Sequence, residues 1–459
     1  MAEIAEAGTR PATSVAAIVG RIERIPYTQF HFKARSICAI ATFFDGYDFL
    51  SISYALPVLV GEWHLAGPQI GLLIAASNAS SLFGGLGFAW LGDGIGRLKT
   101  MAIATALFGL ASLACAFTWD FNSLLACRAL EGLGLGGLGP VAAAYLTEMA
   151  RAQGRGRFYL LFQGIFIFGL ACAAFLSPWM VPTLGWQSMF VLGAVPAPLA
   201  ICFVLLLPES ARWYADKGRF AEAGQIVRMI EEQARREGKE LPPPAHLPPA
   251  RREKRPHWTE IFRGIYRART IVAWLLFFCI YFVSNALISW LPTLYRTVYH
   301  LDVTTALQYS AYTTLAGMVG VIVVALLVDH TGRRTWFTIC FSGIAAVFLY
   351  LWLSGAPSAT VVLVAVTVGD VMMASISSLI FLYSAEIYPT RLRSRGVAIA
   401  GAWQKVGIVI GQISIGYVVP AFGIEGVFLQ FAIVSALGAI IAGLFAIEAR
   451  NRALEEISP

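Results

Sequence analysis

Six ionisable residues, Asp45, Asp48, Arg128, Glu131, Asp370 and Lys405, sit inside stretches otherwise fit for lipid. An ionisable side chain at the bilayer centre costs at least about 2.5–3.5 kcal/mol on insertion scales, so such groups line a wet path, pair, or do both. A carboxylate can carry a proton when its affinity is moved toward neutral pH; desolvation raises that affinity and a nearby cation lowers it. Asp45 and Asp48 are three residues apart, which places them on one helix face. They are expected to hold an exchangeable proton, with Arg128 tuning them and Glu131 beside it. The alternative is a fixed buried ion pair joining the first and fourth spans.

Lys405 is the candidate contact for the carboxylate of a bound molecule; its alternative is a buried pair with Asp370 or Glu131. Asp370, Gln163, Asn285 and Gln404 are further polar lining candidates. Phe44, Tyr47, Tyr281, Trp290, Tyr383 and Trp403 could stack on a flat molecule. Aromatic residues make up 13% of the chain, however, so any helix face carries several by composition alone. Trp403, Gln404 and Lys405 are consecutive and therefore about 100° apart on a helix, so they cannot all face one cavity.

The elements that must position these residues follow from composition. Of the 459 residues, 58% are hydrophobic and 13% charged, too little charge for a water-soluble surface at this length. A spanning helix needs about 20 mainly apolar residues. Segments of that kind are read at 36–60, 69–91, 100–118, 121–146, 158–180, 187–207, 271–294, 306–328, 335–354, 358–385, 397–419 and 424–447. The expected fold class is an all-α membrane protein of twelve transmembrane helices. The expected division is a leader 1–34, a six-helix bundle 35–207, a linker 208–270, a second bundle 271–447 and a tail 448–459. The linker is expected to carry a charged helix between Arg219 and Lys239 and a Pro-rich stretch from Leu241 to Pro249.

Of the 34 Lys and Arg, all but Arg128, Arg296 and Lys405 fall on one side of this arrangement. Basic residues concentrate in cytoplasmic loops, so both termini are expected in the cytoplasm. The same bias accounts for the net charge of +7 and removes any need for a nucleic-acid partner. Seven scattered Cys without C-x-x-C spacing give no expectation of a metal or cofactor. Neither H-E-x-x-H nor G-x-S-x-G occurs, which argues against an enzyme.

The two halves repeat. Asp93-Gly94-Ile95-Gly96-Arg97 recurs as Asp329-His330-Thr331-Gly332-Arg333, 236 residues on. Glu148 with Arg155 recurs as Glu386 with Arg393, 238 residues on. Internal repeats of this kind build rocking transporters. Asp93, Arg97, Glu148, Arg155, Asp329, Arg333, Glu386 and Arg393 are therefore candidates for a charged gate. Exposed pairs are worth only about 0–1 kcal/mol each, which suits a gate that must open. Gly132, Gly134, Gly136 and Gly137 thin the fourth span, for static packing, for a sliding contact, or for both.

At these residues the chain resembles the major facilitator superfamily over nearly its whole length. Gly92 to Lys99 resembles its signature loop, and Arg128 to Gly137 its fourth-helix signature. Pro208-Glu209-Ser210-Ala211-Arg212-Trp213 and Glu386-Ile387-Tyr388-Pro389-Thr390-Arg391 resemble motifs of sugar porters and related metabolite carriers. Asp45-Gly46-Tyr47-Asp48 with Tyr54-Ala55-Leu56-Pro57 resembles the first helix of aromatic acid:proton symporters. Leu287 to Tyr295 resembles the seventh helix of those carriers and of niacin-type metabolite:proton symporters. The sugar porters' paired glutamines in that helix are absent. The resemblance implies two pseudo-symmetric six-helix bundles and proton-driven uptake of a small organic acid, by a monomer in a bacterial inner membrane. Sugar, organic-cation or drug carriage, including proton-antiport efflux, remains the alternative.

Overall fold

The computed structural model describes residues 14–244, 258–388 and 390–448. The side chains of Asp329 and Arg393 lie outside the described residues, as does most of the Pro-rich stretch expected at 241–249. Among the described residues there is no strand. Inside hydrocarbon each backbone N–H and C=O must bond within its own segment, which helices achieve.

The first half comprises α1 (Val15–Glu23), α2 (Gln29–Trp63), α3 (Gly67–Ile95), α4 (Arg97–Cys115), α5 (Phe121–Met149), α6 (Arg155–Leu184), α7 (Gln187–Gly193) and α8 (Pro196–Leu206). Then come α9 (Ala211–Asp216), α10 (Phe220–Arg236) and a 3-10 turn at Trp258–Phe262. The second half comprises α11 (Gly264–Thr297), α12 (Val303–Thr331), α13 (Arg333–Leu353), α14 (Ala359–Glu386) and α15 (Thr390–Phe445). Ten segments are long and apolar enough to cross a membrane, one of them made of α7 and α8 together. The long α2 adds another crossing, and α15, at 56 residues, divides at the non-helical Gly423 into two. Among the described residues the crossings are thus twelve.

Helix starts are set locally. Asp120, Asp302 and Ser358 accept from the backbone N–H of Ser123, Thr305 and Val361 at 2.9, 3.0 and 3.3 Å. Such caps satisfy N–H groups that have no intrahelical partner. α2 begins seven residues before the apolar run expected from 36, because Thr28 and His31 form a capping box ahead of it.

In the first half α3 packs on α5, α2 on α6, and α4 on α5 and α8. In the second, α11 packs on α15, α13 on α15 and α14, and α12 on α14. The halves meet where α3 lies on α15, α6 on α12, and α2 on α11. Bare apolar side chains such as Phe83, Leu86, Trp90, Phe168, Phe175, Leu326 and Leu444 form the outer surface, as lipid contact requires. A smaller core gathers α1, α9 and α10 around the α2, α5 and α6 ends of the first bundle. Arg21 of α1 and Arg24, which caps its C-terminus, both bind Glu231 of α10, at 2.7 and 2.8 Å.

The glycines of α5 do not lie between the bundles. Gly132 and Gly136 abut Ser77 and Ser81 of α3, and Gly134 abuts Ala104 and Phe108 of α4. They set close packing inside one body, which corrects the sliding-contact expectation. Close approach between the bodies occurs instead where Gly67 and Gly71 of α3 meet Gly416 and Gln412 of α15.

Candidate transport site

Asp48, Arg128 and Glu131 form one buried cluster, with side-chain exposures of 0%, 2% and 0%. Arg128 Nη1 donates to Asp48 Oδ2 at 3.2 Å and to Glu131 Oε2 at 2.5 Å. Ser51 Oγ donates to Asp48 Oδ1 at 2.8 Å. The two carboxyl groups also come within hydrogen-bonding range of each other. Glu131 Oε1 and Arg128 Nε have no partner. The chain makes room for Asp48 by interrupting its sixth crossing: α7 ends at Gly193, and Pro196 supplies no N–H to continue it. A Cβ at Gly193 would stand 3.4 Å from Asp48 Oδ1 and 2.6 Å from Ser112 Oγ.

Asp45 does not share that environment. Three residues is 300° of helical rotation, and the difference carries Asp48 toward α5 while Asp45 faces the other bundle. Asp45 of α2 and Lys405 of α15 are each half-buried at the boundary between the bundles. They interact electrostatically across it. Lys405 Nζ also donates to Asn78 Oδ1 at 3.4 Å. Lys405 is thus engaged by Asp45 and Asn78, not by Asp370 or Glu131.

Asn78 leads into a polar chain that sequence reasoning missed. Its Nδ2 donates to Gln412 Oε1 at 3.4 Å, and Gln412 Nε2 donates to Ser289 Oγ at 3.2 Å. Amides inside apolar runs were the available signal. Gln163 is exposed on the side of α6 roughly opposite Leu161, Phe168 and Phe175. Asn285 is half-buried and donates to Ser284 Oγ at 3.2 Å. Gln404 is half-buried, and half-buried Trp403 stacks on Trp274 at 5.2 Å.

Several expected aromatic contacts are corrected. Tyr47 is fully buried and its hydroxyl meets Met189 Sδ at 3.5 Å, inside the first bundle; Phe44 packs edge-on against it at 6.3 Å. Trp290 is buried, with Nε1 donating to the Gln412 carbonyl at 2.9 Å. Tyr383 is buried against Phe337 and accepts from the Ile447 N–H at 3.0 Å. Tyr281 stacks on Phe277 and donates to the Ser377 carbonyl at 3.1 Å. Their rings are committed to helix packing. Asp370 is 2% exposed in α14, away from Lys405.

The gate residues pair within bundles. Arg97 binds Asp93 at 2.6 Å and Glu148 at 3.0 Å, and Arg333 binds Glu386 at 3.0 Å. Arg155 does not meet Glu148; it binds Glu23 of α1 at 2.9 Å, because the leader helix folds back over the α6 start. Each network carries a carboxylate absent from the sequence-based gate set. Glu209 accepts from the Arg97 and Leu98 N–H groups at 2.9 and 3.1 Å. Glu448 accepts from those of Arg333 and Arg334 at 2.9 and 3.1 Å. A negative side chain at a helix start complements the helix dipole. Gly96 and Gly332, at φ 111° and 87°, make the approach possible, since a Cβ at either would run into that carboxylate. Burial pushes the Glu209 carboxyl up, against three backbone N–H groups that pull it down.

The chain is similar to known proteins over most of its length. The chain is 27% identical to the niacin transporter NiaP of Acinetobacter baylyi over 441 residues, covering 96% of this chain and 99% of that one. It is 29% identical to the 4-hydroxybenzoate transporter PcaK of Pseudomonas aeruginosa over 411 residues, covering 86% and 89%. The crystal structure of a D-xylose-proton symporter superposes with a TM-score of 0.74 at 18% identity, over 92% of this chain and 100% of that one, which establishes the fold. The Sugar (and other) transporter family matches residues 35–459, and the chain belongs to that family as a multi-pass membrane transporter of the major facilitator fold.

Proposed function

We propose that the protein takes up a small aromatic carboxylate together with protons, by alternating access between bundles 35–207 and 271–447, with both termini in the cytoplasm. The observation that carries the coupling is the Asp48–Arg128–Glu131 cluster, which holds two carboxylates and one guanidinium out of water. Ionised throughout, it would hold one surplus negative charge in a medium that penalises it. A proton on the Asp48–Glu131 pair removes the surplus, and Glu131 Oε1 is free to take it.

Asp45 and Lys405 link that proton to cargo. A substrate carboxylate on Lys405 would take the ammonium from Asp45, and a proton on Asp45 would restore neutrality. Asn78, Gln163, Asn285 and Gln404 would supply hydrogen bonds around the ring. The names of the relatives, a niacin transporter and a 4-hydroxybenzoate transporter, support an aromatic acid. The pairs at Arg97 and Arg333 lie inside single bundles, so they can move with them as the bundles rock. The bias of Lys and Arg supports the orientation.

Purified protein in liposomes, under an imposed pH gradient, tests the reading with nicotinate, 4-hydroxybenzoate and xylose. Gradient-dependent accumulation of either acid, without xylose, is the expected result. Acid uptake that ignores the gradient, or xylose uptake in its place, overturns it.

A further inference from the structure

Every other acid expected at mid-depth has a cation within electrostatic reach: Arg128 for Asp48 and Glu131, Lys405 for Asp45. Asp370 has none. It lies in the middle of α14, 2% exposed, with no hydrogen bond or ion pair among the described residues. The helices around it offer nothing to balance a charge. From α12 it faces Gly317, where a Cβ would overlap Oδ2. The nearby Thr313 spends its hydroxyl on Thr367, at 3.0 Å, which ties α12 to α14. From α13, Val347 packs beside Gly369, while Cys340 is turned to Ser375. From α11, Tyr281 is bonded to the Ser377 carbonyl, and Lys405 of α15 is engaged by Asn78 and Asp45.

The titratable group that does feel Asp370 comes from the other bundle. Tyr54 of α2 is buried, interacts electrostatically with Asp370, and carries a hydroxyl with no hydrogen-bond partner. Thr314 stands near it but donates to the Ser310 carbonyl at 3.0 Å. Two polar groups, one from each bundle, therefore lie within electrostatic reach of one another across the moving boundary.

We infer that Asp370 is a second proton-binding site, lodged in the second bundle and shut by Tyr54 of the first. A carboxyl without a counter-charge in this setting is stable when it holds a proton. While the bundles are closed at this level, the proton cannot leave. When they part, Tyr54 withdraws and water reaches the carboxyl; the O–H bond breaks, the proton passes to water, and the carboxylate is hydrated. Exposure to the opposite side reverses the step. One carboxylate anion moved with this proton and those at Asp45 and Asp48–Glu131 carries a net charge of +2, so uptake is driven by voltage as well as by pH. That consequence rests on the symport reading; the site itself does not.

Two measurements separate them. Infrared spectra of the purified protein near neutral pH should show protonated-carboxyl C=O absorption that shifts in heavy water, with one component missing in the Asp370→Asn difference spectrum. In liposomes, nicotinate or 4-hydroxybenzoate uptake by the wild type should rise under an inside-negative potassium diffusion potential, and Asp370→Asn should show a smaller rise; an equal rise overturns its part in coupling. Loss of that component without any coupled uptake leaves the site standing and overturns the symport. An unchanged band in Asp370→Asn overturns the site. Should Asp370→Asn fail to fold, Tyr54→Phe decides: removing a hydroxyl within electrostatic reach of the carboxyl shifts the pH at which the band titrates. No shift overturns the role of Tyr54.

Discussion

Glu131→Gln isolates the surplus charge of the buried cluster. The substitution keeps the shape of the side chain and leaves Arg128 paired with Asp48 alone at 3.2 Å, a neutral pair that needs no proton. A pH difference of one unit is worth about 1.4 kcal/mol per proton, so each coupled proton multiplies accumulation about tenfold. Glu131→Gln should therefore lower the steady-state accumulation of 4-hydroxybenzoate about tenfold under a one-unit gradient at zero membrane potential. Counterflow, in which labelled substrate exchanges for unlabelled without net proton movement, should persist. Arg128→Leu behaves oppositely in stability, because it strands two carboxylates; breaking a buried pair costs about 3–5 kcal/mol. It should denature at lower temperature in detergent than Glu131→Gln. Wild-type accumulation by Glu131→Gln would refute the surplus-charge argument, whatever the state of the other acids.

Other perturbations test the remaining links. Lys405→Ala should raise the half-saturating nicotinate concentration about tenfold or more, the worth of one charge-assisted hydrogen bond; an unchanged value removes the carboxylate contact. Glu209→Ala and Glu448→Ala should each loosen one helix start by about 1 kcal/mol, read as faster amide exchange at Arg97–Leu98 or Arg333–Arg334 and nowhere in the other bundle. His31 lies ahead of the first apolar run, and burial holds its imidazole down at about 4, against 6.5 in the unfolded chain. Its Nδ1 is 3.1 Å from the Thr28 N–H and its Nε2 is 3.2 Å from the Met149 carbonyl, a neutral arrangement. Because the unfolded chain binds the proton more readily, this stability is complete above 6.5 and falls as pH drops toward 4, by about 2 kcal/mol between pH 7 and 5. Proteolysis between α1 and α2 should accelerate over that range in the wild type; a flat profile contradicts the assignment.

The fold was legible because lipid leaves few options. Apolar runs of spanning length and repeated loop motifs at one offset define the crossings and their halves without knowledge of any contact. Charge inside those runs also picks out α2 and α5, which carry the buried Asp48–Arg128–Glu131 cluster. What periodicity could not give is direction. Asp45 and Asp48 share a face to within 60°, yet one looks between the bundles and the other into α5, because Gly193 clears the space that Asp48 fills. The aromatics fail for the same reason: Tyr47, Trp290 and Tyr383 each find an internal partner that sequence does not disclose. Glu209 and Glu448 were hidden by distance, since each caps a helix more than 100 residues away in sequence.

The contacts that hold the bundles together suggest why the molecule can change state. At one end α3 and α15 meet through Gly67, Gly71 and Gly416, where no side chain intervenes. The polar links across that boundary are Asn78–Gln412 and Lys405–Asn78, both at 3.4 Å, at the long edge of hydrogen bonding. Interhelical hydrogen bonds in membranes average about 0.6 kcal/mol, so the two together hold the closed end by roughly 1 kcal/mol. The short ion pairs, at Arg97, Arg128 and Arg333, lie inside single bundles and move with them. Glu231 ties the leader to the linker helix α10, and Glu23 ties both the leader and Arg212 to Arg155 of the first bundle, so they ride with it. Strong bonds within each body and weak ones between bodies keep the two states close in energy. Substrate on Lys405 and a proton on the acids can then decide between them with only a few kcal/mol.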